Sequence, residues 1–237
     1  MPEVPDTTTA VIMDSAKQKG MPALSEYDAK KVLSSYGIPV TREYLADSAD
    51  AAISAARKIG YPVVLKACAP HLMHKSDNGL VALGVNTDAD VQDAFAHICE
   101  KAGGTIDGVL VQEMIDGKRE LVVGMTRDPQ FGPCVMLGLG GVMTEIFRDT
   151  VFRMAPFDAV EAADMTAQLR SKKMLDAFRG EAPANRDMLY QTLTAVARMA
   201  MDWDGIREID INPLIVSPDG GLKAVDALIV TGGGSDD

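Results

Sequence analysis

From Gly108 to Met154 the chain is a succession of strand-like runs separated by short turns, with no helix-length amphipathic stretch among them. Gly108 to Ile115 and Glu120 to Arg127 read as strands joined at an Asp116-Gly117 turn, Pro133 to Leu139 follows, and Thr144 to Met154 reads as an extended ribbon. Elsewhere strands and helices alternate irregularly. Adjacent strand pairs are incompatible with a uniformly doubly wound sheet and place the chain in the α+β class.

The helices carry their own boundaries. Ser25-Glu-Tyr-Asp28 opens one on which Ala29, Val32, Leu33 and Tyr36 recur at helical spacing, and Gly37 and Pro39 end it. Ser48 or Asp50 starts an Ala-rich helix that stops at Gly60, and Asp88 to Lys101 forms another. Residues 158 to 178 read as two helical pieces, and Asn185 caps a helix reaching about Met201. Thr41 to Ala46, Pro62 to Lys66 and Leu80 to Val85 are strands. The chain closes with strands Ile206 to Ile215 and Leu222 to Val230, joined through Ser217-Pro-Asp-Gly-Gly221. The Asp116-Gly117 turn divides a first lobe, 23–115, from a second, 116–231. A polar tail and short helix, 1–22, precede them, and the tail 232–237 is expected to be disordered.

A formal net charge of −11 argues against a nucleic-acid surface, which requires clustered Lys and Arg. Three scattered cysteines, Cys68, Cys99 and Cys134, lack metal spacing and predict reduced thiols in a cytoplasmic protein. The first ten residues are polar, which predicts no signal peptide, and no apolar run reaches membrane-spanning length.

Candidate chemistry concentrates in a few segments. In Glu208-Ile-Asp-Ile-Asn-Pro-Leu214, alternation puts Asp210 and Asn212 on one side of a strand, and Asp226 returns on the next apolar run. Hard oxygens converging from paired strands suit Mg²⁺ completed by nucleotide phosphates. A turn begun at Asn212-Pro213 beside a solvated Asp210 fits the same residues. Lys66 ends an apolar strand, either snorkelling to solvent or aimed at a phosphate. The loop His71-Leu-Met-His-Lys-Ser-Asp-Asn-Gly79 contains His74, Lys75, Ser76 and Gly79, and its backbone amides could cradle an anion, although no Walker sequence is present. A neutral imidazole there is also a competent nucleophile for a phosphoryl group. Gly138-Leu-Gly-Gly-Val-Met-Thr-Glu145 is a Gly-rich loop after a strand without the third Gly of a dinucleotide fingerprint. It reads as a tight turn or as a flexible loop closing on phosphates through Gly140 and Gly141. Gln112-Glu-Met114 and Glu120 flank the Asp116-Gly117 turn, either as an exposed hairpin or as contacts for a base edge and ribose hydroxyls.

Taken in order and spacing, Pro62-Val-Val-Leu-Lys66, His74-Lys-Ser-Asp77, Gly138-Leu-Gly-Gly141 with Glu145, and Glu208 to Leu214 resemble an ATP-grasp domain of the nucleoside-diphosphate-forming acyl-CoA synthetases. The beta subunits of ADP-forming acetyl-CoA synthetases are most similar, over nearly the whole chain. The resemblance implies an ATP-grasp fold whose two lobes enclose a nucleotide cleft, with ATP or ADP and Mg²⁺ as cofactors. It implies that Lys66 holds a phosphate and that the His74 to Gly79 loop covers the phosphates. Gln112, Glu113 and Met114 would form the adenine hinge, Glu120 would bind ribose, and Arg153 would contact a phosphate. Asn212 and Asp226 would hold Mg²⁺, with Asp210 close by, and His74 would relay the phosphoryl group. The partner implied is a CoA-binding ligase alpha subunit carrying its own phosphohistidine, without which the chain would be inactive; neither nucleic acid nor membrane is expected. Two departures stand out: Leu80 follows Gly79 where a Gly-Gly pair is common, and Lys118-Arg119 replaces a second hinge Gly. The competing readings are a nucleotide-sensing regulatory ATP-grasp domain without catalysis and a succinyl-CoA synthetase-like beta subunit.

Overall fold

The computed structural model of the chain describes residues 7–69, 79–103, 106–141 and 149–232. It divides into two compact units. One contains the N-terminal residues through Leu24, Asp28–Val40 and the chain from Asp116 onward; the other contains Ser25–Tyr27 and Thr41–Ile115.

The smaller unit is a four-stranded antiparallel sheet in the order β1-β4-β2-β3, from β1 (Glu43–Ala46), β2 (Val63–Cys68), β3 (Val81–Val85) and β4 (Gly108–Glu113). Two helices cover one face, α3 (Ala49–Ile59) and α4 (Asp88–Ala102). Ser48 caps α3 by accepting from the amide of Ala51, and Thr87 with Asp90 forms a reciprocal capping box on α4. The period-two alternation of β2 sends Val63, Leu65 and Ala67 into the helix-covered core with Val109, Val111, Ala52, Ala56 and Ile98. Val64, Lys66 and Cys68 therefore occupy the opposite face. Strand β2 runs two residues past Lys66, so this lysine is an interior strand residue and not the strand-end residue that the sequence suggested.

The larger unit carries a six-stranded antiparallel sheet, β10-β8-β5-β6-β7, with β9 beside β8. Its strands are β5 (Arg119–Asp128), β6 (Gly132–Leu139), β7 (Thr150–Met154), β8 (Ile206–Val216), β9 (Leu222–Ala224) and β10 (Ala227–Thr231). One face packs against helices α1 (Thr7–Gln18), α2 (Glu26–Ser35), α5 (Ala159–Gln168) and α6 (Arg186–Asp202). Leu121, Val123, Val135, Leu137, Ile209, Ile211 and Ile229 meet Val32, Leu33, Met165, Leu193 and Val196 in that core. Burying residues of this size, each worth about 1.5–3 kcal/mol, dominates the stability of the unit. The N-cap predicted from sequence forms on α6, where the Asn185 side chain accepts from the Met188 amide; on α5 the structure adds a cap at Asp158, which accepts from the amides of Val160 and Glu161.

The residues read as a hairpin from Gly108 to Arg127 pair differently. Strand β4 belongs to the four-stranded sheet and β5 to the six-stranded one, so the Asp116-Gly117 segment joins two sheets. Gly117 is required there by close approach, because an added Cβ would lie 2.6 Å from the Val216 carbonyl oxygen and against the Ile215 side chain. The single strand expected over Leu222 to Val230 is broken at Val225-Asp226 into β9 and β10.

Candidate functional site

Strand β8 alternates as the sequence predicted. Ile209 and Ile211 are buried, Glu208 and Asn212 are exposed, and Asp210 lies half-buried between them. Asn212-Pro213 does not start a turn. It sits inside β8, at a cis peptide bond and at a shift of register: Val123 pairs with Ile211 and Leu121 with Leu214, so β8 has one extra residue there. Proline has no N–H for the ladder, and a bulge of this kind re-aims the neighbouring side chain. On the other side of β8 lies the break between β9 and β10. The Val225 amide donates to the Pro213 carbonyl oxygen at 3.0 Å, and Ala227 is in register with Ile211. The two irregular dipeptides, Asn212-Pro213 and Val225-Asp226, thus face each other and bring Asp226 beside the Asn212 position.

This corner concentrates negative charge. Asp210 has its pKa pushed up to about 6, first by burial and then by repulsion from Glu208 and Asp226. Among the described residues no group of three or more His, Cys, Asp or Glu side chains could hold a metal ion. The set here is two carboxylates with an amide oxygen, all hard donors. It fits a Mg²⁺ that keeps most of its shell for phosphate oxygens and water. Gly124 lies opposite Asp210 on β5, so no side chain stands over the carboxylate from that strand.

The Gly-rich turn is built against Glu120. The Gly140 amide donates to the Glu120 carbonyl oxygen at 2.7 Å. A Cβ on Gly140 would lie 3.0 Å from Glu120 Cβ, and one on Gly141, at φ +67°, would lie 2.8 Å from Glu120 Oε2. The structure therefore brings Glu120, Gly140 and Gly141 together. Arg153 is placed elsewhere. Register carries it through Val135 and Met125 to Ile209, which is the helix-covered face, whereas Asp210 aligns with Gly124, Met136 and Phe152 on the other. Its guanidinium is held at 2.7 Å by Asp164 of α5. This is not legible in sequence, because the face of a residue on a new strand depends on its register.

In the smaller unit Lys66 is 6% exposed and Glu26 is 4% exposed. Lys66 Nζ donates to Glu26 Oε1 at 2.8 Å. Gln112 is fully buried on the Lys66 face, its strand partner there being Val64. Glu113 turns to the other face and accepts from the Arg42 amide at 2.9 Å and from Arg42 Nε at 2.8 Å. Its own amide donates to the Arg42 carbonyl oxygen, and Met114 is exposed just past the strand end. Gly79 takes φ +70° in the turn two residues before β3. His74, Lys75, Ser76 and Glu145 lie outside the described residues. Two residues escaped the sequence reading. Glu208 shares the Asp210 face by simple i, i+2 alternation and could have been found. Glu26, forty positions from Lys66, could not.

Comparison with known proteins follows the same lines. The ATP-grasp domain family matches residues 15–231. The beta subunit of acetate–CoA ligase (ADP-forming) I of Pyrococcus furiosus is 38% identical over 224 residues, covering 92% of this chain and 96% of that one. The 4-hydroxybutyrate–CoA ligase (ADP-forming) of Nitrosopumilus maritimus is also 38% identical over 92% of this chain, which spans only 32% of that longer protein. Among solved structures, the dinucleotide forming acetyl-coenzyme A synthetase 1 of Ca. Korarchaeum cryptofilum superposes with a TM-score of 0.84 at 39% identity, over 94% of this chain and 99% of that one. That structure is a complex with coenzyme A and Mg-AMPPCP, its phosphohistidine segment pointing towards the nucleotide binding site. This chain, with its bulged acidic strand and Gly-rich turn, belongs to the ATP-grasp family, among the beta subunits of ADP-forming acyl-CoA synthetases.

Proposed function

We propose that the chain is the nucleotide-binding beta subunit of an ADP-forming acyl-CoA synthetase, an acid-thiol ligase active with an alpha partner. The overall reaction is acyl-CoA + ADP + phosphate ⇌ acid + CoA + ATP. On the alpha subunit phosphate displaces CoA from the acyl group, giving acyl phosphate. A histidine there takes the phosphoryl group and releases the acid, and ADP then accepts it on this chain, with His74 as a relay.

The observation that carries this reading is the acidic corner of β8, where burial and like charge hold Asp210 at about 6 beside Asn212 and Asp226. An arrangement that repels its own charges is expected where a cation is to be received. Asn212 and Asp226 would hold Mg²⁺, with Asp210 next to them. Bound Mg²⁺ neutralises charge on the phosphate oxygens during transfer. Lys66 contributes a second positive charge, and Glu120 with the Gly140-Gly141 turn orients the ribose and phosphates. The candidate metal donors Asn212 and Asp226 are both present, which favours the enzyme over a non-catalytic nucleotide sensor. Among the described residues Cys68, Cys99 and Cys134 form no disulfide, which favours a cytoplasmic location.

The test is Mg²⁺-dependent ADP binding by the full chain, measured by titration calorimetry. Asn212→Ala and Lys66→Met are each expected to weaken binding or turnover on the order of a hundredfold, as for a lost electrostatic contact worth ~3 kcal/mol. Unchanged affinity in both variants would refute the assignment.

A further inference from the structure

Lys66 does not stand alone, and the residue that holds it has no role in the reading above. Both members of the Lys66–Glu26 pair are almost completely withdrawn from solvent, with side chains 7% and 2% exposed. A buried ion pair is a poor source of stability, because desolvating two charges costs about as much as their attraction returns, and apolar replacements are often neutral or stabilising. Its presence in the middle of an otherwise apolar strand calls for another explanation. Lys66 lies between Val81 of β3 and Leu110 of β4. Its long, flexible stem leaves the ammonium free to swing unless something fixes the far end. Glu26 is suited to that task. It is the first residue of α2, where the helix start favours an anion, and its backbone is fixed by the helix.

We infer that Glu26 is the positioning residue for Lys66, fixing the ammonium in the direction from which it meets a nucleotide phosphate. The inference rests on the proposed phosphate role of Lys66. Glu26 accepts one of the three hydrogen bonds an ammonium can donate, which orients the other N–H bonds by tetrahedral geometry. Misplacing such a contact by ~1 Å can cost on the order of a hundredfold in rate.

The experiment is a double-mutant cycle in the full chain, reading the Kd for Mg-ADP and, with the alpha partner present, KM and kcat for ADP. Glu26→Gln is expected to raise Kd and KM about tenfold or more, and Glu26→Asp, which keeps the charge but retracts it by one methylene, about tenfold. In a Lys66→Met background Glu26→Gln should have no further effect, because the lysine it would aim is gone. Should Glu26→Gln alone fail to fold, Glu26→Asp and the uncharged Glu26→Gln/Lys66→Met pair keep the test. Wild-type or tighter ADP binding in Glu26→Gln or Glu26→Asp, while Lys66→Met binds poorly, would overturn the inference. So would an equal loss from Glu26→Gln with and without Lys66, the mark of a purely structural role. Wild-type binding in Lys66→Met would instead refute the phosphate role itself, leaving Glu26 nothing to aim.

Discussion

Asp210→Asn should stabilise the nucleotide-free chain while weakening its binding of Mg²⁺ and nucleotide. The carboxyl of Asp210 is raised from the ordinary 3.8 to about 6. At about 1.36 kcal/mol per pH unit, that shift would cost the folded state roughly 3 kcal/mol above pH 6 if the group were fully shielded. Asp210 is only half-buried, and screening reduces this to ~1–2 kcal/mol. The sign is fixed by the direction of the shift. Below pH ~4 the carboxyl is protonated both folded and unfolded, and nothing is lost. Between ~4 and ~6 the unfolded chain ionises first, and above ~6 the whole penalty is present. Asparagine keeps the shape and removes the charge. At pH 7.5, without nucleotide, the variant should melt about 2–8 °C above wild type, taking ~2–4 °C per kcal/mol for a unit of this size. The gain should vanish near pH 4. Differential scanning calorimetry at the two pH values, with and without Mg-ADP, measures both effects. An Asp210→Asn chain equal to or less stable than wild type at pH 7.5 would refute the argument that the corner is held under its own repulsion.

Other outcomes follow from the packing. Gly141→Ala places a Cβ 2.8 Å from Glu120 Oε2 at φ +67°; it should cost about 1–3 kcal/mol in urea unfolding and displace Glu120. Gly117→Ala meets β8 at the Val216 carbonyl and should lower stability by about 1–3 kcal/mol or more by the same assay. Arg119 is 2% exposed and donates to the carbonyls of Met174, Asp176 and Ala182 and to the Glu181 carboxylate. Arg119→Ala should cost about 3–5 kcal/mol by leaving Glu181 and these carbonyls unpaired, detected as a lowered Tm and faster proteolysis of the 172–184 segment. Arg153→Ala, which loses only the partly exposed pair with Asp164, should leave the Kd for Mg-ADP unchanged if its place on the helix-covered face is correct.

Local signals were readable and long-range ones were not. Ser48 and Asn185 appear in sequence because a cap is decided within four residues. Asp210 and Asn212 were legible as one face because alternation is local. The bulge at Asn212-Pro213 was not, since it depends on how β5 and β9 pair with β8. The same limit hid the side on which Arg153 lies and made β4 and β5 look like a hairpin, since turn residues between two strands do not say whether the strands pair with each other. Lys66 stood out as a charge in an apolar run, but its partner Glu26 could be found only by folding the chain.

The proposed passage of a phosphoryl group between a partner's phosphohistidine and ADP is open to direct measurement. It is tested most directly by mixing a ³²P-phosphohistidyl alpha subunit with the full chain and Mg-ADP and measuring labelled ATP. Rapid labelling is expected that requires this chain and falls on the order of a hundredfold with Lys66→Met or Asn212→Ala. Labelled ATP formed equally fast without the chain, or none formed with it, would contradict the claim.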